Sequence, residues 1–175
     1  IRFRADAGFV GAWDGWLQQC FAASRARLGD AWDAAYENAP IWRFCFGAGV
    51  CGADAMVGVM MPSQDRVGRM FPLTVFQKLT QPPVAAQLDV EPAMTQVEDA
   101  MLYALTQQTD KSVLADQLKA VDLPVCSGTD GGQSSWLSVF FAGEARRDER
   151  VFDGLPAPEM YCDLLQPSGV EGSNV

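Results

Sequence analysis

Between Ile41 and Lys78 the chain carries three apolar segments separated by connections too short to hold a crossover helix. Ile41-Trp42-Arg43-Phe44-Cys45-Phe46 is bulky and β-branched, Ala53 to Met61 is almost wholly apolar, and Arg69 to Lys78 sets Phe71, Leu73 and Val75 on one face. Parallel neighbours need a dozen or more connecting residues, so short links of this kind predict an antiparallel meander. Gly58, between Val57 and Val59, suits a strand better than a helix.

Helices flank this core. Phe9, Trp13, Trp16, Leu17, Cys20, Phe21 and Leu28 recur at helical spacing and form one apolar stripe. Arg25 and Arg27 fall in the last turn, where they suit the helix dipole, Gly29 ends the helix, and Asp30 is placed to cap a short second helix over 31–37. Further helices are predicted over 92–108 and 111–121, a loop over 126–135, a fourth strand over 136–141, a charged loop over 143–150 and a last short helix over 157–165. The order is not a strict βαβ alternation, so the fold class is α+β, a mostly antiparallel sheet with helices packed on it. At 175 residues one domain is expected, over 1–165, with a frayed tail over 166–175. The start at Ile1, with no Met and no signal pattern, reads as a trimmed N-terminus.

Composition removes whole classes of function. There is no histidine, which excludes Ser-His-Asp and Cys-His catalysis and His-ligated metal. The net charge of −9 argues against nucleic acid or an anionic membrane as the main partner. No stretch approaches the roughly 20 apolar residues of a membrane span. The five cysteines are odd in number and lack CxxC spacing, so no metal site and no disulfide is expected, and reduced, buried thiols point to the cytoplasm.

Two segments invite chemistry. Gly47-Ala48-Gly49-Val50-Cys51-Gly52 matches GxGxxG after a strand, but a dinucleotide site needs a helix opening at the third glycine, and the next segment reads as a strand. Ser127, Asp130, Ser134 and Ser135 share a loop, yet a serine nucleophile without histidine needs a lysine base, and neither SxxK nor GxSxG is present. A small hydrolase or nucleotide binder using these segments is the alternative reading. Five tryptophans are mostly core, with one or two available to an interface. The most distinctive segment is Pro62-Ser63-Gln64-Asp65-Arg66-Val67-Gly68-Arg69, a polar loop whose carboxylate and two guanidiniums pair with each other or with a partner's acids.

Trp13-Asp14-Gly15-Trp16-Leu17-Gln18, Ala39-Pro40-Ile41-Trp42-Arg43-Phe44 and the long block Gly58 to Thr74, containing Pro62-Ser63-Gln64-Asp65-Arg66-Val67-Gly68-Arg69-Met70-Phe71-Pro72-Leu73-Thr74, resemble the type VI secretion system-associated TagF (ImpM) family. The resemblance covers residues 1–80 closely and extends loosely to Leu165. The opening strand and PxxGDF-like motif usual in the family are absent, in line with a trimmed start. The resemblance implies an α/β/α sandwich around an antiparallel sheet, similar to longin-type domains. It also implies a cytoplasmic, non-enzymatic repressor of the secretion apparatus, acting by binding a core component such as the forkhead-associated-domain scaffold. No catalytic residue, cofactor or metal follows from it. The partner-binding candidates are Asp65, Arg66, Arg69, Trp42 and Arg43.

Overall fold

The computed structural model describes residues 7–65, 67–79, 93–119, 121, 132–142 and 144–166. Helix α1 (Ala7–Leu28) runs through a 3-10 turn (Gly29–Ala31) into α2 (Trp32–Glu37). Strands β1 (Trp42–Phe46), β2 (Met56–Gln64) and β3 (Met70–Lys78) follow, then α3 (Ala93–Thr106), α4 (Lys111–Leu118), β4 (Gln133–Ala142), β5 (Glu144–Asp153), a second 3-10 turn (Pro158–Met160) and α5 (Tyr161–Leu165). All five strands form one antiparallel sheet in the order β3-β2-β1-β4-β5. The expected meander is therefore present, and the chain returns after α4 to place β4 on the free side of β1.

Alternation along β1 sorts the core into two layers. Trp42, Phe44 and Phe46 face one side, with Met56, Met60 and Trp136, and meet Phe9, Trp13, Trp16 and Cys20 of α1 and Tyr161, Leu164 and Leu165 of α5. Cys45 faces the other side with Val57, Val59, Met61 and Leu137, beneath Met94, Val97 and Met101 of α3 and Leu114 of α4. Helices thus cover both faces, one layer aromatic and one aliphatic, as an α/β/α sandwich requires. All five indole N–H groups find an internal acceptor. Trp16 donates to Pro156 O at 2.7 Å, Trp32 to Ser24 Oγ at 2.7 Å, Trp42 to Leu164 O at 2.8 Å, Trp136 to Ser134 Oγ at 3.1 Å and Trp13 to Thr74 Oγ1 at 3.3 Å.

Four local expectations change. Residues 144–150 of the expected charged loop lie in β5. Its charges are compatible with a ladder because same-face neighbours neutralise one another: Arg150 holds Asp148 (Nη2 to Oδ2 2.6 Å) and Arg147 holds Glu149 (3.0 Å). Ser134 and Ser135 belong to β4 and are buried, while Ser127, Asp130 and Cys126 lie outside the described residues. Strand β2 continues past Pro62 to Gln64. Pro62 faces Pro72, and the register makes this a non-hydrogen-bonded pair, so neither ring removes a donor from the β2–β3 ladder. Asp30 does not cap α2, because the 3-10 turn carries α1 directly into it and makes Ala31 the N-cap residue.

Cys20, Cys45, Cys51 and Cys162 are buried free thiols, and burial pushes Cys20 and Cys51 up to about 12. Gly58 shows why a glycine sits mid-strand. A Cβ there would lie 2.5 Å from Phe44 Cζ and against the Val75 carbonyl, so the Phe44 ring packs directly across the β2 backbone. Gly58→Ala must displace both that ring and the Val75 carbonyl of β3. We expect a loss of roughly 1–3 kcal/mol in chemical denaturation, the usual range for overpacking a filled core. An unchanged midpoint would show that the ring relaxes freely.

Candidate functional site

The β2–β3 hairpin closes through a tip whose geometry is set by one carboxylate. Asp65 Oδ1 accepts the backbone N–H groups of Val67 at 3.0 Å and Arg69 at 2.9 Å, and Oδ2 accepts Arg69 Nε at 2.7 Å. The backbone adds Asp65 N–H to Arg69 O and Gly68 N–H to Asp65 O, each at 3.0 Å. Gly68 sits at φ +82°, the left-handed position that a three-residue hairpin connection needs and that glycine adopts without strain. An Asp at the first turn position thus organises the loop as its side chain ordinarily does. The bonds from the Arg69 N–H and then its guanidinium hold the Asp65 carboxyl below its usual range.

This brace leaves two side chains outward. Arg69 is 80% exposed and engages Asp65 through Nε. Val67 is 75% exposed on the same tip. Val67 is not among the candidates that the sequence points to; a β-branched residue in an otherwise polar loop is the signal that marks it. Arg66 lies outside the described residues.

The other two partner-binding candidates lie inside the molecule. Trp42 is 1% exposed and tied to Leu164 O. Arg43 is 4% exposed on the aliphatic face, where Nε and Nη2 grip the two Glu98 oxygens at 2.6 and 3.0 Å and Nη2 also reaches Thr95 Oγ1 at 3.3 Å. Sequence alternation could not show that the residue after Trp42 points at α3 rather than at solvent. Arg43 is the clamp between β1 and α3.

The two segments that invited chemistry have structural roles where they are described. Gly47 to Gly52 is the turn between β1 and β2, held by Gly49 N–H to Gly52 O at 2.9 Å, and β2 stands where a dinucleotide fingerprint needs a helix. Ser134 Oγ donates to Gly154 O at 2.6 Å and accepts the Trp136 indole. Among the described residues no group of three His, Cys, Asp or Glu side chains is placed to hold a metal, and no helix is long and apolar enough to cross a membrane.

Two predictions separate brace from clamp. Because the Asp65 pKa is lowered in the folded state, its contribution is present above the unfolded value near 3.8 and is lost as pH falls through the lower folded value. The amide resonances of Val67 and Arg69 should therefore titrate with a midpoint below 3.8, and a midpoint at or above it would break the brace. Glu98→Ala should cost about 3–5 kcal/mol, because it strands the buried Arg43 charge, whereas Arg43→Met combined with Glu98→Leu should recover most of that loss. Equal losses in the single and double variants would show that packing, not the stranded charge, is responsible.

The chain matches the TagF N-terminal domain family, type VI secretion system-associated, over residues 1–121. No curated protein matches it. It is similar in structure to PA0076 from Pseudomonas aeruginosa PAO1, with a TM-score of 0.78 and 27% sequence identity over 94% of this chain and 87% of that one. The resemblance in the Trp42 and Asp65 blocks, the sandwich around an antiparallel sheet and these matches agree, and the chain belongs to the type VI secretion system-associated TagF family.

Proposed function

We propose that this protein is a cytoplasmic, non-enzymatic repressor of the type VI secretion system, acting by occupying a core component, with the forkhead-associated-domain scaffold as the first candidate. The observation that carries this reading is the β2–β3 tip: a turn fixed by Asp65 that presents Val67 and the Arg69 guanidinium to solvent. A preformed turn loses little entropy on docking, so its contacts are kept as affinity. Asp65 engages the Arg69 guanidinium through Nε, and the side chain stays 80% exposed in a chain of net charge −9. It suits a carboxylate on the partner, and Val67 beside it suits an apolar recess.

The test uses the full chain and a purified forkhead-associated-domain scaffold in titration calorimetry, with thermal melting of the same samples. Arg69→Ala and Arg66→Ala should each weaken binding by at least about 30-fold, the scale for truncating a desolvated charged contact. Melting should shift by less than the several degrees that loss of a structural brace produces in a small domain. Loss of binding that always tracks a lowered melting temperature would make the tip a brace only. Wild-type binding in both variants would remove it from the interface.

A further inference from the structure

The two edges of the sheet are built differently. At one edge, β5 carries Glu144, Arg146, Arg147, Asp148, Glu149, Arg150 and Asp153. A two-fold pairing of β5 with itself centred on Arg147, Asp148 or Glu149 would oppose like charges, a standard protection of an edge. The other edge, β3, has the sequence MFPLTVFQK over nine residues, and its one charge, Lys78, is engaged by Asp54 at 2.6 Å.

The register fixes which backbone groups of β3 point away from the sheet. Asp65 N–H bonds Arg69 O and Leu79 N–H bonds Ala55 O, so odd-numbered residues form the hydrogen-bonded pairs with β2. The even-numbered residues Met70, Thr74, Phe76 and Lys78 therefore turn their N–H and C=O groups outward. Among the described residues none of these outward N–H groups has a hydrogen-bond partner. Pro72 also faces outward, where a proline belongs on an edge strand, and its carbonyl accepts Thr74 Oγ1 at 3.4 Å.

We propose that the outer edge of β3 pairs antiparallel with the β3 edge of a second copy of this chain, joining two five-stranded sheets into one. The strand is self-complementary about a two-fold axis at Thr74. There Thr74 meets Thr74 of the second copy, Leu73 meets Val75, Pro72 meets Phe76, Phe71 meets Gln77 and Met70 meets Lys78. No charge faces a like charge, Thr–Thr and apolar pairs stabilise such ladders, and each Pro72 removes one donor away from the centre. Two independent features set the strength. A single strand pair is a small interface, so the dimer dissociates on dilution. Each copy carries −9, so their mutual repulsion is screened, and association strengthened, by added salt. An interface held by ion pairs would respond in the opposite sense. The antiparallel arrangement sets the two hairpin tips at opposite ends of the β3 pair, roughly 30 Å apart for nine residues. This inference does not depend on the tip being a docking site.

Sedimentation velocity of the full chain from about 1 µM to about 1 mM should show a dimer growing with concentration and with salt. Thr74→Pro removes the central outward donor and should remain monomeric at every concentration. Thr74→Val removes the same hydroxyl but keeps the N–H, and should dimerise like the wild type. Amide exchange gives a second readout that needs no variant. Phe71, Leu73, Val75 and Gln77 should be protected at all concentrations, and Met70, Thr74, Phe76 and Lys78 only where the dimer is populated. A wild-type monomer up to about 1 mM would overturn the proposal. So would a dimer that Thr74→Pro leaves intact, or protection of the even-numbered amides in the dilute monomer.

Discussion

Five buried indoles govern the architecture, because each carries an N–H that must find an acceptor away from water. Leaving one unpaired would cost about 1–3 kcal/mol, a large share of the stability of a domain this size. The acceptors are distributed across the chain: Ser24 within α1, Thr74 on β3, Ser134 on β4, Pro156 after β5 and Leu164 in α5. Satisfying them pulls the N-terminal helix, both halves of the sheet and the last helix around one aromatic layer. The rings then interlock, with Phe9 and Phe76 centroids 4.0 Å apart and Phe44 and Phe46 4.5 Å apart. Helix α1, which precedes the sheet by many residues, is held to its two ends by the same requirement.

The opposite face is secured by different means. Its aliphatic layer offers few directional contacts, and the orientation of α3 over β1 rests on the Arg43–Glu98 pair with Thr95. A buried ion pair is a poor source of net stability but a strong selector of geometry once one partner is in place. At the end of the sheet beyond β1, Pro40, Pro62 and Pro72 line a shallow cleft with Tyr36, Trp42 and Tyr161. Past that row β2 and β3 continue to the hairpin tip, where Val67 and Arg69 are exposed.

Rigidity and exposure therefore coincide at the tip without conflict. Asp65 organises the turn from within, which frees the rest of the Arg69 guanidinium and the Val67 side chain from any bracing duty. The contrast between a charge-protected β5 edge and an apolar β3 edge adds a second outward-facing feature to the same hairpin. Both features lie on the surface of a chain that belongs to the type VI secretion system-associated TagF family.

Much of this was legible in the residues alone. Helical spacing from Phe9 to Leu28, short links between three apolar segments and Gly58 between two valines determined α1, the antiparallel meander and the α+β class, because side-chain periodicity and connection length are local properties. The Asp65-to-Arg69 segment was also recognisable, since a carboxylate followed by Gly and Arg is turn chemistry. The charges of β5 read as a loop because the run lacks the apolar alternation that marks a half-buried strand, although its ladder partner β4 directly precedes it. Trp42 and Arg43 read as candidates for a partner because no spacing tells which face of β1 meets α3 and which meets α5. Those assignments depend on contacts between residues 55 to 122 positions apart, such as Arg43 with Glu98 and Trp42 with Leu164. Only the closed tertiary structure brings such pairs together, and with them it decides which polar groups are held inside and which are left at the surface.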